Sequence, residues 1–107
     1  MDSKNVKLIV YVPDTHTDIV REAMGKAGAG KIGNYSYCSF SMKGVGRFRP
    51  EDGADPHIGD VGEFTEVSEE KIEVTCSREI VQDVIDAIKK VHPYDEVAYD
   101  VYPLENI

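Results

Sequence analysis

The sequence predicts an α+β fold, a ferredoxin-like βαββαβ sandwich in which a four-stranded antiparallel sheet carries two helices on one face. Three observations point there. Two apolar stripes recur at helical spacing, each preceded by a run rich in β-branched residues and each followed by strand-like sequence. A Gly-, Pro- and Asp-rich stretch separates the halves, and the elements read in the order strand, helix, strand, long loop, strand, helix, strand.

Val6 to Val12, in "NVKLIVYVP", reads as the first strand, central because both of its faces are apolar, and it stops at Pro13. In "DTHTDIVREAMGKAG" the period changes: Ile19, Val20, Ala23, Met24 and Ala27 share one helical face, and Thr15 with Asp18 fits a capping box. The glycines of "GAGKIG", Gly28 to Gly33, have the spacing of a dinucleotide-binding fingerprint. A helix enters them and a strand leaves, the reverse of the order that aims a helix N-terminus at a pyrophosphate. They read instead as a helix terminator and a tight entry to the second strand, with their N–H groups a secondary anion site.

"NYSYCSFSM" alternates as a second strand, with Cys38, Phe40 and Met42 on one face and Tyr35, Tyr37 and Ser39 on the other. Lys43 to Glu63 has no sustained period and reads as a long loop, a feature usually functional or disordered. "EKIEVTC" is the third strand, facing Ile72, Val74 and Cys76 inward; Ser77 is placed to cap the second helix, whose stripe is Ile80, Val81, Val84, Ile85 and Ile88. Lys89 and Lys90 suit the negative end of that helix, "HP" ends it, and "EVAYDVYPL" is the last strand. The sheet face without helices is expected to receive Tyr35, Tyr37, Tyr99 or Tyr102, exposed aromatic surface that implies a homo-oligomer.

With 107 residues, 41% hydrophobic and 30% charged, the chain is expected to form one domain over 1–107, too small for separate cofactor and substrate domains, so an elaborate site needs a second subunit. No apolar run nears the ~20 residues of a membrane span, and the N-terminal segment has no leader pattern, which gives a cytoplasmic expectation. Cys38 and Cys76 read as reduced thiols. A net charge of −8 without clustered Lys or Arg excludes a nucleic-acid partner.

"GAGKIGNYSYCSF", "FRPEDGADPHIGDVGE" and "HPYDEVAYDVYPL", in this order, closely resemble the YqfO-type domain of the NGG-interacting factor three-like proteins over nearly the whole chain. Longer members carry this module inside a protein with a dinuclear metal centre; here the resemblance is to the stand-alone form. The chain also looks like CutA and the PII signalling proteins, trimers of the ferredoxin-like fold, with "HPYD" similar to a His-Pro-Tyr-Glu stretch of CutA. The metal ligands of the long members belong to flanking domains, so neither that centre nor a cyclohydrolase activity is implied. Asp95 stands where related sequences usually have Glu, and Arg47 where they have a smaller or uncharged residue.

These readings nominate Gly33, Asn34, Tyr35 and Cys38, with His92, Tyr94, Asp95 and Glu96, as a ligand-binding set gathered in clefts between subunits of a PII/CutA-like trimer. The plainer reading makes Gly33 and Asn34 a turn, Cys38 core, and His92 a cap in a rigid corner against which Tyr94 packs. A divalent metal is the cofactor considered, with His92, Cys38 and His57 as its ligands, although His16, His57 and His92 have no metal-ligand spacing. Loop carboxylates Glu51, Asp52, Asp55 and Asp60 match no EF-hand register. The function expected is a non-enzymatic, trimeric binding or regulatory module that touches a protein partner through loop 43–63. The alternative is a CutA-like metal binder, and below it a small hydrolase of nucleotide-like phosphates, for which a thiol at Cys38 would need His92 beside it.

Overall fold

The computed structural model describes residues 4–107; the first three, part of the segment read above for a leader, lie outside the described residues. β1 (Asn5–Pro13) is followed by a 3-10 turn (Asp14–His16) and α1 (Thr17–Lys26); β2 (Phe40–Phe48), β3 (Thr65–Ser77), α2 (Val81–Val91) and β4 (Tyr99–Pro103) complete the order. The sheet runs β2-β3-β1-β4 with every neighbouring pair antiparallel, the expected ferredoxin-like arrangement. Because side chains alternate along a strand, Val6, Leu8, Val10 and Val12 of β1 join Ile72, Val74 and Cys76 of β3 on the helix-covered face. Val20 and Met24 of α1 and Val84, Ile85 and Ile88 of α2 close the core over them. No helix among the described residues is long and apolar enough to cross a membrane.

Several boundaries differ from expectation. β2 starts at Phe40 and continues to Phe48, so residues 43–48 are strand and not loop; Gly44 and Gly46 interrupt the apolar alternation, but pairing with Thr65–Glu70 supplies the ladder. β3 accordingly starts at Thr65. The capping box does not form: the Thr15 hydroxyl meets His16 Nδ1 at 2.8 Å, Asp18 pairs with Arg21 at 2.7 Å, and the 3-10 turn delays α1 to Thr17. Ser77 Oγ accepts the Glu79 N–H at 3.2 Å in the turn before α2, one turn earlier than a helix cap.

The uncovered face also differs. Tyr102 lies on it, opposite Lys7, but Tyr99 is opposite Val10 and turns to the helix side, where Lys89 Nζ sits 5.4 Å from its ring centre. Tyr35 and Tyr37 precede β2, and the Tyr37 ring lies where a side chain on Gly25 of α1 would stand. What the uncovered face presents is Phe40, Met42 and Tyr102, respectively 61%, 54% and 50% exposed, around buried Ile9 and a Lys71–Glu73 ion pair at 3.1 Å.

The glycine stretch closes α1 as a Schellman motif. Gly28, at φ +107, donates to Gly25 O and Ala29 to Met24 O, while Ala29 and Met24 are both buried. Gly30 then donates to Thr75 O at 2.8 Å, and Gly33 (φ +56) opens a two-residue turn in which Ile32 and Tyr35 exchange backbone hydrogen bonds. The N–H groups of Gly28, Ala29, Gly30 and Ile32 thus all go to chain carbonyls and form no anion cradle.

Candidate functional site

The chain after α2 cannot continue as helix because Pro93 forces His92 into extended backbone, φ −74 and ψ 135. Tyr11 of β1 holds this corner at two points: its N–H donates to Ala98 O at 3.1 Å, and its carbonyl accepts from His92 Nε2 at 2.8 Å. The other ring nitrogen, Nδ1, accepts the Tyr94 N–H at 3.2 Å. Those partners fix His92 as the neutral tautomer protonated at Nε2. Burial, the largest influence, lowers its pKa; the Tyr11 carbonyl and Glu69 oppose that, and His16 and His57 add to it.

Tyr94 projects from the corner into a cluster of rings, His92 at 5.0 Å, Phe48 at 6.1 Å and His57 at 6.3 Å between centroids. Its hydroxyl donates to Glu69 Oε2 at 2.9 Å. Burial first, and then that bond to a carboxylate, hold the phenol above its usual range. Glu69 reaches Tyr94 because it crosses β2 at Gly46, where a Cβ would occupy the space of its carboxylate. Glycine in a strand commonly marks such a close approach.

The segment after β2 is folded back over this corner. Asp55 donates its N–H to Asp95 Oδ2 at 3.0 Å, Gly62 donates to Pro50 O at 2.7 Å, and Arg49 pairs with Glu51 at 2.7 Å while lying 5.2 Å from the Phe64 ring centre. Between this loop and the corner is a cleft of about 410 Å³, within the range of ligand sites. Phe48, Pro50, Ile58 and Tyr94 line it with apolar surface, and Glu69, Asp95 and Glu96 with carboxylates.

Of the residues nominated from sequence, Tyr94, Asp95, Glu96 and His57 meet in this cleft. His92 stands behind it as a support. Gly33, Asn34, Tyr35 and Cys38 do not join them within one chain: Cys38 donates to Gly30 O beside Thr75, four residues along β3 from the position paired with Tyr11, or roughly 13 Å at strand rise. Cys38 and Cys76 are free thiols; burial raises the pKa of Cys76. Within one chain the metal set His92, Cys38 and His57 is not assembled: both His92 nitrogens are already hydrogen-bonded, and Cys38 is at the other end of the strands. Among the described residues no three His, Cys, Asp or Glu side chains are grouped to hold a metal ion. Nor does Cys38 have His92 beside it as a base within one chain.

Sequence reasoning missed Tyr11, Gly46, Phe48 and Glu69. A signal for two of them was present: glycines at alternate positions in "KGVGRF" mark a strand crossed by a neighbour's long side chain, and Glu69 is out of phase with the inward-facing Ile72.

The neutral state of His92 sets a pH dependence. Its folded pKa lies below the ordinary 6.5 of the unfolded chain, so the unfolded state binds the proton more tightly. Its contribution is therefore fully present above that value and is lost as pH falls through the window beneath it. Melting curves at stepped pH are expected to show this loss, and His92→Gln, whose amide can donate to Tyr11 O and accept from Tyr94 N–H, to flatten it.

No family model matches the chain. A GTP cyclohydrolase 1 type 2 homolog from Halalkalibacterium halodurans is 56% identical over 100 residues, covering 94% of this chain and 27% of that protein. The crystal structure of a Bacillus cereus protein related to NIF3 superposes at a TM-score of 0.85 with 45% identity, over 99% of this chain and 27% of that one. The periplasmic divalent cation tolerance protein CutA from Archaeoglobus fulgidus superposes at 0.71 with 15% identity, over 95% of this chain and 85% of that one, a likeness of fold. The chain spans about a quarter of the length of the curated relatives it matches.

Proposed function

The chain is the YqfO-type domain of the NGG-interacting factor three-like family, with a CutA/PII-like fold, and from that premise we propose that it is a trimeric binding and regulatory module without catalysis of its own. One observation carries this reading. The loop wall of the cleft hangs on Asp95, in the same corner that supplies Tyr94 and Glu96 to the cleft, so a ligand seated there bears directly on the loop's position. A partner protein reading residues 43–63 would sense occupancy in that way.

Trimerisation is supported by the uncovered face, where Phe40, Met42 and Tyr102 would leave water. In the assembly, the Gly33 to Cys38 turn is the edge we assign to a neighbour's cleft. The GTP cyclohydrolase named for the relatives belongs to proteins far longer than this chain, and no nucleophile, base and orienting group come together in the cleft described above. Sedimentation equilibrium at micromolar concentration is expected to give about three times the 11.9 kDa chain mass. Phe40→Glu with Met42→Glu is expected to dissociate it. A wild-type monomer would remove the shared cleft and with it this reading.

A further inference from the structure

The charges of the cleft narrow the chemistry of what it can hold, and the inference rests on the binding role proposed above. Its two arginines are already engaged: Arg47 Nε is 3.2 Å from Glu66, and Arg49 is held by Glu51 and stacked near Phe64. Its carboxylates are not so balanced. Glu69 has the Tyr94 hydroxyl, Asp95 has the Asp55 N–H, and Glu96 also lines the cleft, and none of the three has a cationic side-chain partner among the described residues. An incoming anion would meet three carboxylates, and the two guanidiniums beside them already share Glu66 and Glu51. A cation would find both a carboxylate and ring faces, since Tyr11, Phe48 and Tyr94 line the same space.

We propose that the cleft binds a small organic cation, an amine or amidine on a flat or apolar body, with the charged head at Glu69 and Glu96 and the body between Phe48, Tyr94 and Pro50. An inorganic cation does not fit these walls as well, because most of the lining is carbon and no grouping of ligating side chains is present among the described residues. Arg49 pairs with Glu51, the fourth carboxylate of the lining, and so keeps it from competing for the ligand.

Three probes of one shape and different charge test this: benzamidinium, neutral benzamide and benzoate, titrated into the isotopically labelled full chain and followed by amide shifts. Benzamidinium is expected to move Phe48, His57 and Tyr94 saturably and to bind at least tenfold more tightly than either of the others. Glu69→Gln, which keeps an oxygen to accept from Tyr94, is expected to weaken benzamidinium at least tenfold and leave benzamide unchanged. Glu96→Gln, at an exposed position, should shift affinity the same way without touching the Tyr94 bond. Equal binding of the three probes, preference for benzoate, no binding at all, or unaltered affinity in both variants would overturn the proposal. A trimer that prefers benzoate would remove only the cation; a monomeric sample would strike the binding role beneath it.

Discussion

Gly30→Ala is expected to destabilise the protein by about 3 kcal/mol and to lower its melting temperature by about 15 °C. Two costs combine. Gly30 has φ +84, where a Cβ costs about 1–2 kcal/mol. That Cβ would also strike the backbone of Cys38, whose carbonyl oxygen lies in its place and whose nitrogen would be 2.7 Å away. Backbone cannot swing aside as a flexible side chain can, so the bonds from Gly30 to Thr75 O and from Cys38 to Gly30 O would have to give. Gly33→Ala is the control: φ is +56 but nothing lies within 4 Å, and about 1 kcal/mol is expected. Thermal or denaturant unfolding of the two variants would separate strain alone from strain with collision, and equal losses would refute this account of the turn.

His92→Ala is expected to cost about 3 kcal/mol as well, for a different reason. The imidazole is buried and serves two backbone groups at once, Tyr11 O and Tyr94 N–H. Its removal leaves a cavity at the corner and deprives both groups of a partner. Tyr94 would lose its anchor, so its near-ultraviolet circular dichroism should weaken along with stability. Tyr94→Phe, by contrast, deletes only the hydroxyl that meets Glu69, and about 1 kcal/mol is expected. Denaturant unfolding that ranks the tyrosine variant below the histidine variant in stability would contradict the assignment of His92 as the main support.

The sheet and helices were legible because period and punctuation agree with the tertiary fold. Leu8, Val10, Ile72 and Val74 alternate as buried strand residues, and Val84, Ile85 and Ile88 recur as one helical face. β2 was harder to read because Gly44 and Gly46 carry no side chain to alternate, and its extent is set by the Thr65–Glu73 part of β3 paired beside it. The site was legible in part for the same kind of reason. "HPYDE" is dense in polar groups next to a proline stop, which exposes Tyr94, Asp95 and Glu96 as candidates. That His92 turns inward to Tyr11 O, 81 positions earlier in the chain, is a long-range pairing without a local signature. Glu69 sits in "SEEKIE", where a solvated charge run is the ordinary outcome, and only the passage of its side chain over Gly46 sends it to Tyr94. The separation of Cys38 from His92 likewise follows from strand direction, which short sequence windows do not carry.

All the functional readings require that the loop be docked on the corner before any ligand arrives. Amide hydrogen exchange of the unliganded protein tests this most directly. The Asp55 amide, bonded to Asp95 Oδ2, and the Gly62 amide, bonded to Pro50 O, are expected to exchange well below the free-peptide rate. In Asp95→Ala, protection at Asp55 should vanish while the core amides of β1 and β3 keep theirs. Exchange of Asp55 and Gly62 at the free-peptide rate in the wild-type protein would mean that the cleft is not preformed, and would contradict the account.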